Sequence, residues 1–127
     1  MAEPKILQLE KEIRKLQPEV LFTGNTNNVE EITLKNAISN YTKLKVFYKD
    51  NNGQRNSVGI DNSDKSNEIP VGLSSFFNEG QWFNVKVRSI VLSNNKVKGV
   101  GQANYEFGKN EIVYNNNIYI TRIEGYK

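Results

Sequence analysis

The chain contains neither cysteine nor histidine. Without thiols there is no disulfide framework and no thiolate metal site, so packing alone must hold the fold. Without imidazole a Ser-His-Asp arrangement is impossible, and no hydroxyl nucleophile has a histidine base. No stretch approaches the roughly 20 consecutive apolar residues of a membrane-spanning helix, and the first residues do not lead into a secretory apolar segment. The expectation is a soluble chain with no membrane partner. Charge of one sign is also scarce: 17 Lys and Arg stand against 14 Asp and Glu, a net +3. The basic residues are spread among the acids, which makes a polyanion partner such as nucleic acid an unforced reading. With 127 residues, 37% of them hydrophobic, there is material for one core and a small appendage.

Asparagine is abundant, nineteen in all, with runs at Asn27-Asn28, Asn51-Asn52, Asn94-Asn95 and Asn115-Asn116-Asn117. Asn closes Asx turns and tolerates positive φ, so most of these runs read as turns. The opening stretch is different. In "KILQLEKEIRKLQP", Ile6, Leu9, Ile13 and Leu16 are spaced three, four, three, the a and d positions of a heptad, with Lys5, Glu10, Glu12 and Gln17 at the flanking e and g positions. Pro4 suits a first turn, and Pro18 stops the helix near Leu16. About three turns remain, too few to be stable alone, so the seam needs a partner. That partner is either other copies of the chain or its own β domain. The narrow a/d seam favours self-association through Ile6, Leu9, Ile13 and Leu16.

After Pro18 the pattern is β. From Val29 the apolar period is two: Ile32 and Leu34, then Leu44, Val46 and Tyr48, then Val58 and Ile60. Asn52-Gly53 marks a hairpin. Residues 61–81 read as a long loop that tucks Ile69, Val71, Leu73, Phe76 and Phe77 onto the core, with a helical turn at 73–77. "WFNVKVRSIVLS" and "KVKGVGQANYEF" form a hairpin about Asn94-Asn95, with Phe83, Val85 and Val87 on one face. The glycines of "GVGQANYEFG" mark a bulged strand and not a phosphate cradle. "NIYITRIEGYK" is the last strand. The expected fold is mainly β, an antiparallel β-sandwich or flattened barrel over 20–127, preceded by a short coiled-coil helix within 1–19.

Chemistry is sparse. Glycoside hydrolysis needs two carboxylates at a suitable gap, and the spacing of Asp50, Asp61, Asp64, Glu68, Glu79, Glu106 and Glu111 selects no pair. "DNSDKSNE" departs from a calcium loop, with Lys65 in a ligand place and no central glycine. No catalytic residue, metal or cofactor is expected, and the chain is not read as an enzyme. Saccharide recognition needs aromatic faces and adaptable amides. Tyr105, Tyr114 and Tyr119 beside Asn104 and Asn115, Asn116 and Asn117 supply both, although cross-strand tyrosine pairs and a turn would look the same. Trp82 stands at a strand start, packed inward or at the domain edge. Tyr48 reads as core, and Tyr41 stands where a strand begins. Lys43, Lys45, Lys86, Arg88, Lys96 and Lys98 alternate with apolar residues. This pattern fits the wet face of amphipathic strands, or, as the alternative function, a small basic β-barrel that binds single-stranded nucleic acid.

Four stretches, "LFTGN", "ITLKNAISNYTKLKVFYKDNNG", "GQWFNVKVRSI" and "IYITRIEGYK", together resemble the receptor-binding or head domains at the ends of tail-fibre and baseplate proteins from phages of Gram-positive bacteria. The resemblance covers about residues 21–127. It implies a virion component at the tail tip or baseplate, a homotrimer assembled by the preceding helix. It also implies a partner in the cell-wall polysaccharide of the host, and others among the tail or baseplate proteins. Ile at a with Leu at d favours two strands in parallel coils, so the trimer comes from the resemblance and not from the seam.

Overall fold

Pro18 divides the chain in two. A computed structural model describes residues 5–79, 82–106 and 111–127. On one side lies α1 (Lys5–Leu16), the one α-helix among the described residues; Gln17 N–H still reaches the Arg14 carbonyl at 3.3 Å, but Pro18 has no N–H to continue the ladder. Every side chain described on α1 is exposed, Ile6, Leu9 and Ile13 by more than half. None of the described helix side chains is therefore packed against the strands. The side chain of Leu16 lies outside those described.

On the other side the structure is mainly β, in two open antiparallel sheets. The strands are β1 (Glu19–Thr26), β2 (Lys43–Asp50), β3 (Arg55–Asp61), β4 (Glu68–Glu79), β5 (Trp82–Ser93), β6 (Lys96–Glu106), β7 (Glu111–Val113) and β8 (Ile118–Tyr126). One sheet has the order β1-β8-β2-β3, the other the meander β4-β5-β6-β7. The last strand thus sits between β1 and β2, and the junction with α1 falls at Gln17–Pro18, just before Glu19.

The apolar residues of both sheets meet in one cluster. Leu44, Val46, Tyr48, Ile120 and Ile123 come from the first sheet, Val71, Leu73, Ile90, Leu92 and Val97 from the second. At roughly 1.5–3 kcal/mol per buried aliphatic side chain, this cluster is the main stabilising term in a chain with no covalent staple. Tyr48 is core, as expected, and its hydroxyl donates to the Ser74 carbonyl at 2.7 Å, tying the sheets together. Tyr41 is fully buried as well. Its hydroxyl donates to Glu19 Oε2 at 2.6 Å and accepts from Asn36 Nδ2 at 3.0 Å. Burial, then the Glu19 carboxylate, pushes the Tyr41 phenol up; the same hydrogen bond, then Lys127, pulls Glu19 down.

Hairpins stand where Asn-Gly and Asn-Asn indicate. In the β2–β3 turn Gly53 has φ +84° and Asp50 Oδ1 accepts from the Asn52 and Gln54 amides at 2.9 and 3.0 Å. In the β5–β6 turn Asn94 has φ 52°. The glycine-marked bulge in β6 is present: Ser89 pairs with Gly101 and Ile90 with Gly99, which leaves Val100 as the extra residue.

Three expectations need correction. Val29–Glu31 is a 3-10 turn, and Ile32 and Leu34, both buried, are not part of a named strand. Their neighbourhood hydrogen-bonds to the β5–β6 turn instead of a ladder: Leu34 N–H to Asn95 O at 2.7 Å and Ile38 N–H to Asn94 O at 2.9 Å. The described part of 61–81, up to Glu79, is not a long loop with a helical turn, because Glu68–Glu79 pairs along its whole length with β5. Val71, Leu73 and Ser75 face the core while Phe76 is exposed. Pro70 is tolerated because β4 is an edge strand. The loop that remains is not wholly solvated: Asn62 is buried, and its amide donates to the Ile38 and Tyr41 carbonyls at 3.2 and 3.1 Å. The third correction concerns Lys86 and Arg88, and it defines the site.

Candidate functional site

Strand β5 is inverted in polarity over its first half. Its inward positions run Asn84, Lys86, Arg88, Ile90, Leu92, all buried; Val87, on the opposite face, is exposed. Lys86 and Arg88 are only 3% and 7% exposed, so neither belongs to a wet face. Buried cations need compensation, and the two are treated differently. Lys86 Nζ lies 3.9 Å from Asp50 Oδ2 and donates to Asn51 Oδ1. Asp50 also accepts from Ser75 Oγ at 2.8 Å.

Arg88 has no carboxylate partner among the described residues. Its Nη1 donates to the carbonyls of Asn27 at 2.6 Å and Ile118 at 3.0 Å, so one side chain of the second sheet clips the end of β1 to the start of β8 in the first. Burial pulls its pKa down from the ordinary guanidinium value. Around it lies a cleft of about 450 Å³ walled by Asn27, Asn28 and Glu30 on one side and Tyr114 and Asn116 on the other, with Gly99, Gly101 and Gln102 from β6 beneath. Gln102 sits across from Arg88 in the β5–β6 register. Asn27 Nδ2 donates to the Asn116 carbonyl at 3.1 Å and holds the two walls together. The bulge supplies the space: a Cβ on Gly99 would lie 3.2 Å from Val29 Cγ2 and 3.7 Å from Arg88 Nη2, whereas one on Gly101 would meet nothing within 4 Å.

The C-terminal aromatic and amide cluster divides. Tyr114, 78% exposed, and Asn116 line the cleft. Asn115 and Asn117 are half-buried in the same segment, and Asn115 Oδ1 is buried with no donor in reach among the described residues. Tyr119 lines a second hollow of about 300 Å³ with Asn25, Lys49 and Asn51. Tyr105 belongs elsewhere: the register aligns Phe76, Val85, Tyr105 and Ile112 in one row across β4, β5, β6 and β7, on the outward face with Val87. Phe76, Val87 and Ile112 are exposed there, so the row is a rival surface. The side chains of Trp82 and Asn104 lie outside those described.

Sequence reasoning missed Arg88, Asn27, Asn28, Gly99 and Gln102 as one site. The signal within reach was the pair of glycines flanking a strand bulge, which marks close approach of another group to the backbone. Among the described residues no group of three or more acidic side chains is placed to hold a metal ion, and no helix is long and apolar enough to cross a membrane. Comparisons with protein-family models, curated proteins and solved structures give no match to this chain.

Proposed function

We propose that the chain is a receptor-binding module of a phage tail, carried at the tail tip or baseplate of the virion, which recognises a saccharide on the envelope of a Gram-positive host during adsorption. In this reading the two sheets pack as a β-sandwich. The module works without catalysis, as a homotrimer assembled through Ile6, Leu9, Ile13 and Leu16 beside other tail or baseplate proteins.

The observation that carries the reading is the cleft. It presents an exposed tyrosine ring, four side-chain amides and a glycine floor in about 450 Å³, room for one or two sugar rings. Rings offer a flat apolar face to C–H groups, and amides both donate to and accept from hydroxyls. A single shallow site of this kind binds feebly. Parallel copies joined by the exposed seam of α1 raise the effective concentration, by about 10²-fold or more, without any new contact.

The test is a pull-down of the purified chain on intact Gram-positive cell walls and on the same walls stripped of their accessory polysaccharide. Binding to intact walls alone is the expected result. Equal binding to both, or to neither, would contradict the proposal.

A further inference from the structure

Two cations on one face of one strand, two residues apart, meet different fates. Lys86 has the Asp50 carboxylate beside it. Arg88, buried almost as deeply, has only two carbonyl oxygens among the described residues, both on Nη1. A guanidinium carries five N–H donors, so three, on Nε and Nη2, remain without a partner among the described residues. They form one edge of a planar fork, the geometry that matches a carboxylate or a phosphate with two parallel hydrogen bonds. Nη2 fronts the glycine floor, where Gly99 leaves the approach open. Glu30, the one carboxylate among the described residues of the cleft wall, is exposed, so solvent screens it; Arg88 stands at lower dielectric, and its field dominates the floor.

We infer that the cleft takes an anionic saccharide, one whose carboxylate or phosphate group is held by the Nε–Nη2 edge of Arg88 while its ring lies against Tyr114. The inference rests on the reading of the cleft as a saccharide site, and it names the class. The incoming anion supplies at Arg88 what Asp50 supplies at Lys86. The two carbonyl contacts fix the guanidinium before the ligand arrives, so little side-chain freedom is lost on binding.

The experiment is a titration of the full-length ¹⁵N-labelled chain followed at the Arg88 Nε–H and at the amides of Gly99, Gly101 and Gln102. Four probes are used: glucuronate, glucose 1-phosphate, neutral methyl glucoside and inorganic phosphate. At least one of the two charged sugars should bind about tenfold tighter than methyl glucoside and tighter than phosphate alone, the difference expected of a charge-assisted pair. Comparing glucuronate with glucose 1-phosphate tells carboxylate from phosphate. Arg88→Gln should abolish the preference for charge. Because that side chain also clips two loops, Gly99→Ala is the companion variant: it keeps the charge, crowds the Nη2 edge, and should weaken the charged sugars about tenfold. Methyl glucoside bound as tightly as the charged sugars would overturn the anionic class and leave the saccharide reading standing. Inorganic phosphate bound as tightly as both charged sugars would overturn the inference from the other side, since the anion would then bind without its sugar. No response to any probe would overturn both.

Discussion

At position 125 the chain has no room for a methyl group. A Cβ there would come within 2.6–2.9 Å of three atoms of the Tyr41 ring, and the backbone cannot yield because Gly125 pairs with Glu19 on one side and Leu44 on the other. The ring is held in turn by its hydroxyl contacts with Glu19 and Asn36. Gly125→Ala should therefore lower stability by about 1–3 kcal/mol, the usual penalty for overpacking, read as a fall in the urea midpoint at unchanged slope. An unaltered midpoint would mean that Tyr41 moves aside freely. The glycine itself was visible in "RIEGYK" as an isolated glycine in a strand, a sign of close approach, but which ring approaches it depends on a residue 84 positions away. Lys86 and Arg88 were less legible. Period two tells which residues share a face, not which face is inside, and the apolar Val85 and Val87 point to the wrong one.

Among the elements, the helix, both hairpins, the bulge and the last strand were legible, because each has a local signature: a proline stop, Asn-Gly, Asn-Asn, paired glycines, alternation. β4 was not. Pro70, Gly72 and the Ser74-Ser75 pair look like breakers, and only pairing with β5 along its whole length makes them a strand. The short segment around Ile32 and Leu34 failed in the opposite way, with strand-like alternation but hydrogen bonds that go to a turn. For α1 the structure adds a boundary. Glu19 opens β1 and bonds to Tyr41 and Lys127, so a truncation that tests the helix should begin at Pro18. Such a chain should keep its β-type circular dichroism, since no described side chain of α1 is buried, while light scattering should show a monomer where the full chain is oligomeric. A full chain that is monomeric at micromolar concentration would contradict the role given to the seam.

At the scale of the whole molecule the polar cleft and the apolar row compete as candidate surfaces, and they lie on opposite faces of the same sheet. Inward-facing Arg88 and Gln102 open into the polar cleft; outward, Phe76, Val87 and Ile112 form an exposed apolar row. Saccharide recognition is proposed for the cleft. Binding curves on intact Gram-positive cell walls, taken in parallel for the parent chain, for Tyr114→Ala with Gln102→Ala, and for Phe76→Ser with Ile112→Ser, test that assignment most directly. Three of the four positions are exposed and Gln102 borders the open cleft, so the fold should survive in each variant, and circular dichroism verifies it. The cleft variant should lose about tenfold or more in affinity, as removal of an aromatic anchor does, with the outer-face variant matching the parent. Loss of binding in the outer-face variant, with the cleft variant unchanged, would contradict the account.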